Sequence, residues 1–128
     1  MAQFQGGCLC GKVRIEADGW PNRVGICHCL DCRKHHGALF FAAAIFPRTA
    51  VEITGETSSY KNRHFCPVCG SSVFAEGGEE IEVHLGALDA PDQLTPSYEC
   101  WVSRREAWLP RFPMSRRYPE NREVPGGS

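Results

Sequence analysis

The sequence predicts an all-β, mainly antiparallel domain with one or two short helices. Three observations predict it. Apolar residues recur with a period of two in several short segments, the signature of half-buried strands. Thirteen glycines and nine prolines are spread through the chain rather than gathered into a linker, as many tight turns between short strands require. Seven of the eight cysteines fall into three tight clusters, which suits a small β domain stapled by metal.

The elements follow in order. Val13, Ile15 and Ala17 alternate with Lys12, Arg14 and Glu16, which reads as a strand with one buried face. A second strand is expected over Arg23–His28. Leu30–His36 is the one helical stretch, with Asp31 near its start and Gly37 suited to end it. The run LFFAAAIF, Leu39–Phe46, reads as a buried strand rather than a core helix, because of its phenylalanines and the stop at Pro47. Strands are also expected at Val51–Ile53, Ser59–Phe65 and Ser72–Ala75. Ile81, Val83 and Leu85 alternate with Glu80, Glu82 and His84, and Tyr98, Cys100 and Val102 repeat the pattern. From Pro110 the chain is rich in arginine and proline. Residues 1–119 are expected to form one domain and 120–128 a loose tail.

With 128 residues, 42% of them apolar, the chain has material for one modest core and no second domain. No stretch approaches the roughly 20 apolar residues of a membrane span, and Met1–Gly7 lacks the profile of an export signal. A cytoplasmic address with no membrane association is expected. Eight cysteines in a reducing compartment then call for metal rather than disulfides. The formal charge of -1 falls to about -4 if seven of the thiols bind two zinc ions as thiolates, which argues against a general polyanion binder.

The most specific signal is Cys66-Pro67-Val68-Cys69-Gly70. Two thiols two residues apart, a proline stiffening the turn and a glycine permitting a positive φ make half of a zinc site. Cys8-Leu9-Cys10-Gly11 matches it in kind, and Cys8, Cys10, Cys66 and Cys69 together would close a four-sulfur structural site. The middle group, Cys27, Cys29 and Cys32, is compact enough for all three sulfurs to reach one ion. An iron–sulfur cluster is the inorganic rival, but neither common ferredoxin spacing is present. The fourth position goes to Cys100, to a histidine, or to water and substrate; an exchangeable position is the reading we favour. Cys100 is expected to be a buried, inert thiol, His28 to point away from the metal, and His35 and His36 to lie on the helix surface. Trp101 and Trp108 are expected in the core.

The order of these motifs resembles the glutathione-dependent formaldehyde-activating (GFA) family, which includes the GFA-like domain of centromere protein V. The residues carrying the likeness are G-x-C-x-C-G at Gly6–Gly11, C-H-C-x-x-C-R-K with its glycine at Cys27–Gly37, F-C-x-x-C-G at Phe65–Gly70, LGALDAP at Leu85–Pro91, and Trp108. The resemblance implies an Mss4-like β-tent with two zinc ions per chain. It assigns a structural zinc to Cys8, Cys10, Cys66 and Cys69 and a catalytic zinc to Cys27, Cys29 and Cys32. It also implies a carbon–sulfur lyase that condenses a small thiol such as glutathione with formaldehyde. Arg33 and Lys34 directly follow the last ligand and are expected to offset the charge of the zinc–sulfur unit or to hold a substrate carboxylate. Two rivals stand beside this. One is a non-catalytic module whose basic surface, Arg104, Arg105, Arg111, Arg116, Arg117 and Arg122, would meet nucleic acid or an acidic protein; the overall charge and the interspersed Glu106, Glu120 and Glu123 weigh against it. The other is thiol redox chemistry at unmetallated Cys27, Cys29 and Cys32.

Overall fold

The computed structural model describes residues 3–123. Eleven strands, one α-helix and three short 3₁₀ turns make up the regular structure of that stretch. Strands β1 (Gln3–Gly7), β2 (Arg14–Asp18) and β5 (Val51–Thr54) form a three-stranded antiparallel sheet in the order β1-β2-β5. The remaining strands are β3 (Arg23–Cys27), β4 (Phe41–Pro47), β6 (Ser58–Tyr60), β7 (Arg63–Phe65), β8 (Ser72–Gly77), β9 (Glu80–His84), β10 (Tyr98–Cys100) and β11 (Arg116–Arg117). They form a second sheet in the order β11-β10-β3-β4-β9-β8-β7-β6. Pairing is antiparallel except where β10 lies parallel to β3 and to β11. The fold is thus all-β and mainly antiparallel, as the alternation predicts.

The core lies where the small sheet covers one face of the large one. Phe4, Ile15 and Ala17 from the first sheet, with Val13 just before β2, pack with Val24, Ala44, Phe46, Phe74, Ile81 and Val83 from the second. Side chains alternate across a strand, so residues between these on β3, β4 and β9 face the other way. That second face carries the site.

The helix α1 (Leu30–His36) connects β3 to β4. Its end is as expected: Gly37 adopts φ 61° and its N–H returns to the Arg33 carbonyl, the left-handed C-terminal stop that glycine favours. Its start is capped by Cys29 rather than by Asp31, the sulfur accepting from the Cys32 N–H at 3.3 Å.

Several elements differ from expectation. Strand β1 escapes the sequence pattern because its second inward residue is Gly6, where a Cβ would stand 2.2 Å from the Ala87 carbonyl oxygen. The stretch expected as one strand, Ser59–Phe65, is a hairpin: Lys61 and Asn62 take φ 49° and 65°, the two left-handed residues of a tight turn between β6 and β7. Leu85 leaves β9 for a 3₁₀ turn over Leu85–Ala87, and the following Leu88 and Asp89 tie this turn to β1 through the Gly6–Leu88 bridge and the Asp89 N–H to Gln5 carbonyl bond. β10 stops at Cys100 because Trp101 turns to φ 57°, so Val102 does not continue it. Tryptophan placement is also corrected. Trp108 is 69% exposed, and Trp101 is half-buried with its Nε1 donating to Asn121 Oδ1 at 3.0 Å; neither is a core residue. Within the stretch read as a tail, the Glu120 carbonyl accepts from the Trp101 N–H at 2.9 Å; residues 124–128 lie outside the described residues.

Candidate metal centre

Two cysteine clusters could hold metal ions, and the chain builds them differently. Cys8 and Cys10 leave the end of β1, and Cys66 and Cys69 leave the end of β7; each pair is followed by a glycine of positive φ, Gly11 at 84° and Gly70 at 78°. These turns aim backbone N–H groups at sulfur. Val13 N–H points at Cys8 Sγ over 3.2 Å, and the amides of Val68 and Cys69 point at Cys66 Sγ over 3.4 and 3.5 Å. Cys8 Sγ is 3.6 Å from Cys10 Sγ, which is 3.7 Å from Cys66 Sγ. A tetrahedron with metal–sulfur bonds of 2.3 Å has edges of about 3.8 Å, which both contacts match, and all four sulfurs lie within 4.8 Å of one another. A Ser71 hydroxyl beside the Cys69 sulfur at 3.2 Å holds that thiol down at about 5, which favours the thiolate a metal needs.

Cys27, Cys29 and Cys32 also gather, with their sulfurs within 4.8 Å of one another. Cys27 ends β3, Cys29 caps α1 and Cys32 lies in its first turn. Hydrogen bonding with Cys32 holds the Cys27 thiol down at about 6. Cys29 Sγ and Cys32 Sγ are 2.9 Å apart, closer than a tetrahedral edge, so an ion seated here would spread them by about 1 Å. Among the described residues no fourth cysteine, histidine or carboxylate joins this group at that range. Cys100 is Cys27's partner in the β10–β3 register, yet it stays outside the cluster. It is half-buried rather than buried, faces the cavity described below, and desolvation raises its thiol to about 11.

His28, between two of the candidate ligands, does turn away. It is fully buried, and its Nε2 pairs with Glu99 Oε2 at 2.8 Å. Glu99, 1% exposed, accepts from Arg117 Nε at 3.0 Å through its other oxygen. Burying a carboxylate is costly unless charge and hydrogen bonds compensate it, and here both oxygens are engaged. The sequence alternation misplaced this strand: Glu99 is inward toward His28, while Tyr98 and Cys100 face the cavity. Sequence reasoning missed the triad, whose signals were a histidine inside C-H-C and an arginine downstream.

The three-thiol group opens on a cavity of about 470 Å³. Its floor is the second face of the large sheet, and the register lays it out in rows. One row runs Cys100–Cys27–Phe41, the next Tyr98–Gly25–Ala43–His84, and the third Arg23–Ile45–Glu82–Ala75–Arg63. Gly25 is required: a Cβ there would lie 2.2 Å from the Tyr98 ring, which lies over it. His36 comes in from α1, its ring 4.5 Å from both Phe41 and His84. Burial pushes His36 down to about 4 and His84 to about 3, so both are neutral imidazoles near pH 7. His35 is partly buried rather than a surface residue, its ring 5.1 Å from His36.

Arg33 and Lys34 do not line this cavity. Arg33 pairs with Glu106 at 2.6 Å and donates to the Arg104 carbonyl, while Lys34 is exposed. Of the six arginines that could form a basic C-terminal surface, two are spent on internal bonds. Arg105 donates to the Leu109 and Pro110 carbonyls and Arg117 to Glu99 and the Phe112 carbonyl.

The family model described as glutathione-dependent formaldehyde-activating enzyme (GFA) matches residues 3–104. The chain belongs to the GFA family. The GFA match takes in both cysteine clusters and ends before Asn121 and Arg122, which line the cavity. A curated relative, an uncharacterized lyase of Schizosaccharomyces pombe, is 29% identical over 79 residues, covering 58% of this GFA chain and 58% of the relative. The match thus spans less than two thirds of that protein. A crystal structure of a Rhodobacter sphaeroides protein superposes with a TM-score of 0.55 at 23% identity, over 70% of this chain and 91% of that one; that likeness speaks for the fold.

Proposed function

We propose that this chain is a zinc-dependent carbon–sulfur lyase that joins a small thiol such as glutathione to formaldehyde, or acts on a related thiol adduct. The observation that carries this reading is the group of three thiols, without a fourth protein donor among the described residues, facing a cavity of ligand size. Cys8, Cys10, Cys66 and Cys69 would hold the structural zinc, and Cys27, Cys29 and Cys32 the catalytic one. Bound at the second site, zinc supplies one exchangeable position at which an incoming thiol is held as thiolate or an aldehyde oxygen is polarised.

The chain's own residues do the rest. In the condensation the thiol sulfur forms a bond to the carbonyl carbon, the C=O π pair moves to oxygen, and the proton lost from sulfur ends on that oxygen, so no co-reactant is consumed. His36 lines the cavity with Cys29 and Cys32 and is the side chain we assign to carry that proton. The His28–Glu99 pair keeps the backbone between Cys27 and Cys29 fixed, so both sulfurs stay turned to the cavity. No helix among the described residues is long and apolar enough to cross a membrane, and a cytoplasmic location is proposed with this activity.

The test has two parts. Purified protein should carry two zinc ions per chain by elemental analysis, and one ion would dismiss the middle site. Exchange of glutathione with formaldehyde, followed by NMR, should then be accelerated in proportion to protein concentration. Full zinc loading without acceleration would remove the named reaction.

A further inference from the structure

His28 governs where the sulfurs of Cys27 and Cys29 point. Cys27 ends β3 between β10 and β4, and Cys29 is still extended, at φ -61° and ψ 155°. Along extended backbone alternate side chains share a face. Cys27 and Cys29 therefore line the cavity, while His28 enters the opposite side and is fully buried there. Its N–H donates to the Cys100 carbonyl at 3.1 Å, and its ring sets the twist of the chain between the two sulfurs. A metal in this group has to spread Cys29 and Cys32 from 2.9 Å to about 3.8 Å, so the anchor behind the sulfurs must hold while the sulfurs move.

Two supports meet the His28 ring besides Phe40. Glu99 Oε2 stands 2.8 Å from Nε2, and the Phe112 ring lies nearly parallel to the imidazole, with centroids 6.5 Å apart. Phe40 packs against both rings, at 5.7 and 5.1 Å. Arg117 bonds both supports: its Nε donates to Glu99 Oε1 at 3.0 Å, and its Nη2 donates to the Phe112 carbonyl. The backbone gives this segment little hold of its own, since β11 pairs with β10 over two residues only. The Arg117 side chain, which reaches a carboxylate 1% exposed, adds a charged bond to that hold. A buried ion pair is a poor source of stability and is often replaceable by apolar side chains, but it fixes geometry. Here it bears on the one side chain between two cavity-facing sulfurs.

We propose that Arg117, on the segment beyond the family-matched residues 3–104, is a positioning residue for the second metal. Through Glu99 and the Phe112 backbone it holds His28 in its pocket and so keeps the Cys27 and Cys29 sulfurs converged on one ion. This rests on the reading of Cys27, Cys29 and Cys32 as metal ligands above. Partners behind a ligand set typically change metal affinity by about 10–100-fold when removed. The bonds of Arg117 go to Glu99 and Phe112 and not to the four-sulfur group, which therefore serves as an internal control.

The experiment uses the full chain loaded with cobalt(II) and an excess of chelator, read by visible d–d absorption, in which four-sulfur and three-sulfur centres differ. Arg117→Met should release the second cobalt about tenfold faster than wild type, shift the band of that centre, and leave release from the four-sulfur site unchanged. Should that variant fail to fold, Glu99→Asp carries the same test with the same expected outcome, because it keeps a carboxylate for Arg117 and withdraws it from His28 by one methylene. Acceleration at both sites alike, or at neither, would overturn the positioning role and leave the three-thiol metal site standing. A wild-type protein that takes up a single cobalt would overturn that site and the role with it.

Discussion

Replacing Cys66 and replacing Cys29 should have opposite consequences, although both remove one sulfur from a cysteine cluster. The Cys10–Cys66 contact links residues 56 positions apart, whereas the second cluster links Cys27 to Cys32. Loop-closure entropy grows as (3/2)RT ln n, so the first clip restrains the unfolded chain by about 2 kcal/mol more than the second. Cys66 is also 1% exposed, packed in the core cluster with Cys8, and two backbone amides point at its sulfur. Apparent zinc-binding energies of about 10 kcal/mol or more are folding energy where no site exists in the unfolded chain, against a total stability of about 5–15 kcal/mol. Cys66→Ser should therefore lose cooperative unfolding at 25 °C. Cys29→Ser starts from a different position. Serine is a good N-cap, so its hydroxyl can replace the sulfur that accepts from the Cys32 N–H, and α1 should survive. Urea denaturation followed by circular dichroism, with zinc determined on the same samples, separates the cases. We expect a folded Cys29→Ser protein with one zinc and a midpoint near wild type, and no folded baseline for Cys66→Ser. Equal collapse of both, or a Cys66→Ser protein as stable as wild type, would refute the division into a structural and a working site.

Three further outcomes follow from the same geometry. His84 is neutral in the folded state down to about pH 3, while in the unfolded chain it takes a proton near pH 6.5; its contribution is intact above 6.5 and lost as pH falls toward 3, about 2 kcal/mol by pH 5, so His84→Gln should flatten the dependence of urea midpoint on pH between 7 and 5, and an unchanged slope would discount the buried imidazole. Glu99→Ala leaves buried His28 without its acceptor and removes one of the two acceptors of Arg117, and should cost about 3 kcal/mol by thermal or urea unfolding, whereas Arg33→Gln at the partly exposed pair with Glu106 should cost less than about 1 kcal/mol; similar losses in the two would argue against the buried triad. Gly25→Ala sets a methyl 2.2 Å from the Tyr98 ring and should destabilise by about 1–3 kcal/mol while weakening retention of the second metal under competition by a chelator, and a variant with wild-type stability and metal affinity would show that Tyr98 does not lie over that glycine.

Much of the fold was legible because each buried face wrote its own period into the sequence. Val13, Ile15 and Ala17, and Ile81 and Val83, read correctly since their opposite faces carry charged residues. The reading failed where that contrast was missing. In β10 both faces are covered, one by the cavity and one by His28, so the apolar Tyr98 and Cys100 pointed to the wrong interior and hid Glu99. In β1 the inward positions are Phe4 and Gly6, and glycine contributes no hydropathy. The Lys61–Asn62 turn was hidden because lysine carries no turn preference, although Asn62 tolerates a positive φ. The cysteine clusters were legible because short spacings bring sulfurs together locally, and Cys8 with Cys10 matches Cys66 with Cys69 in kind, each a pair followed by glycine. The cavity was not: its cations come from the β6–β7 hairpin and from residues near 122, and nothing local in sequence brings them to one face.

The chain surrounds its two cysteine clusters differently. Cys8 and Cys66 are built into the core cluster, Cys69 is half-buried and Cys10 exposed, and none of the four sulfurs faces the cavity; a metal there would have its coordination filled by protein sulfur. The other three sulfurs sit at the end of β3 and the first turn of a seven-residue helix, beside a sheet face whose central positions are small. Gly25 and Ala43 are register partners, and Ala75 lies beyond them across Glu82. The larger Phe46, Phe74 and Ile81 on these strands all turn to the core. Gly25, Ala43 and Ala75 leave hollows between the larger Phe41, Ile45 and His84 of the same face, which makes that face concave. The concavity, not the sulfur count alone, leaves a three-thiol group with room in front of it.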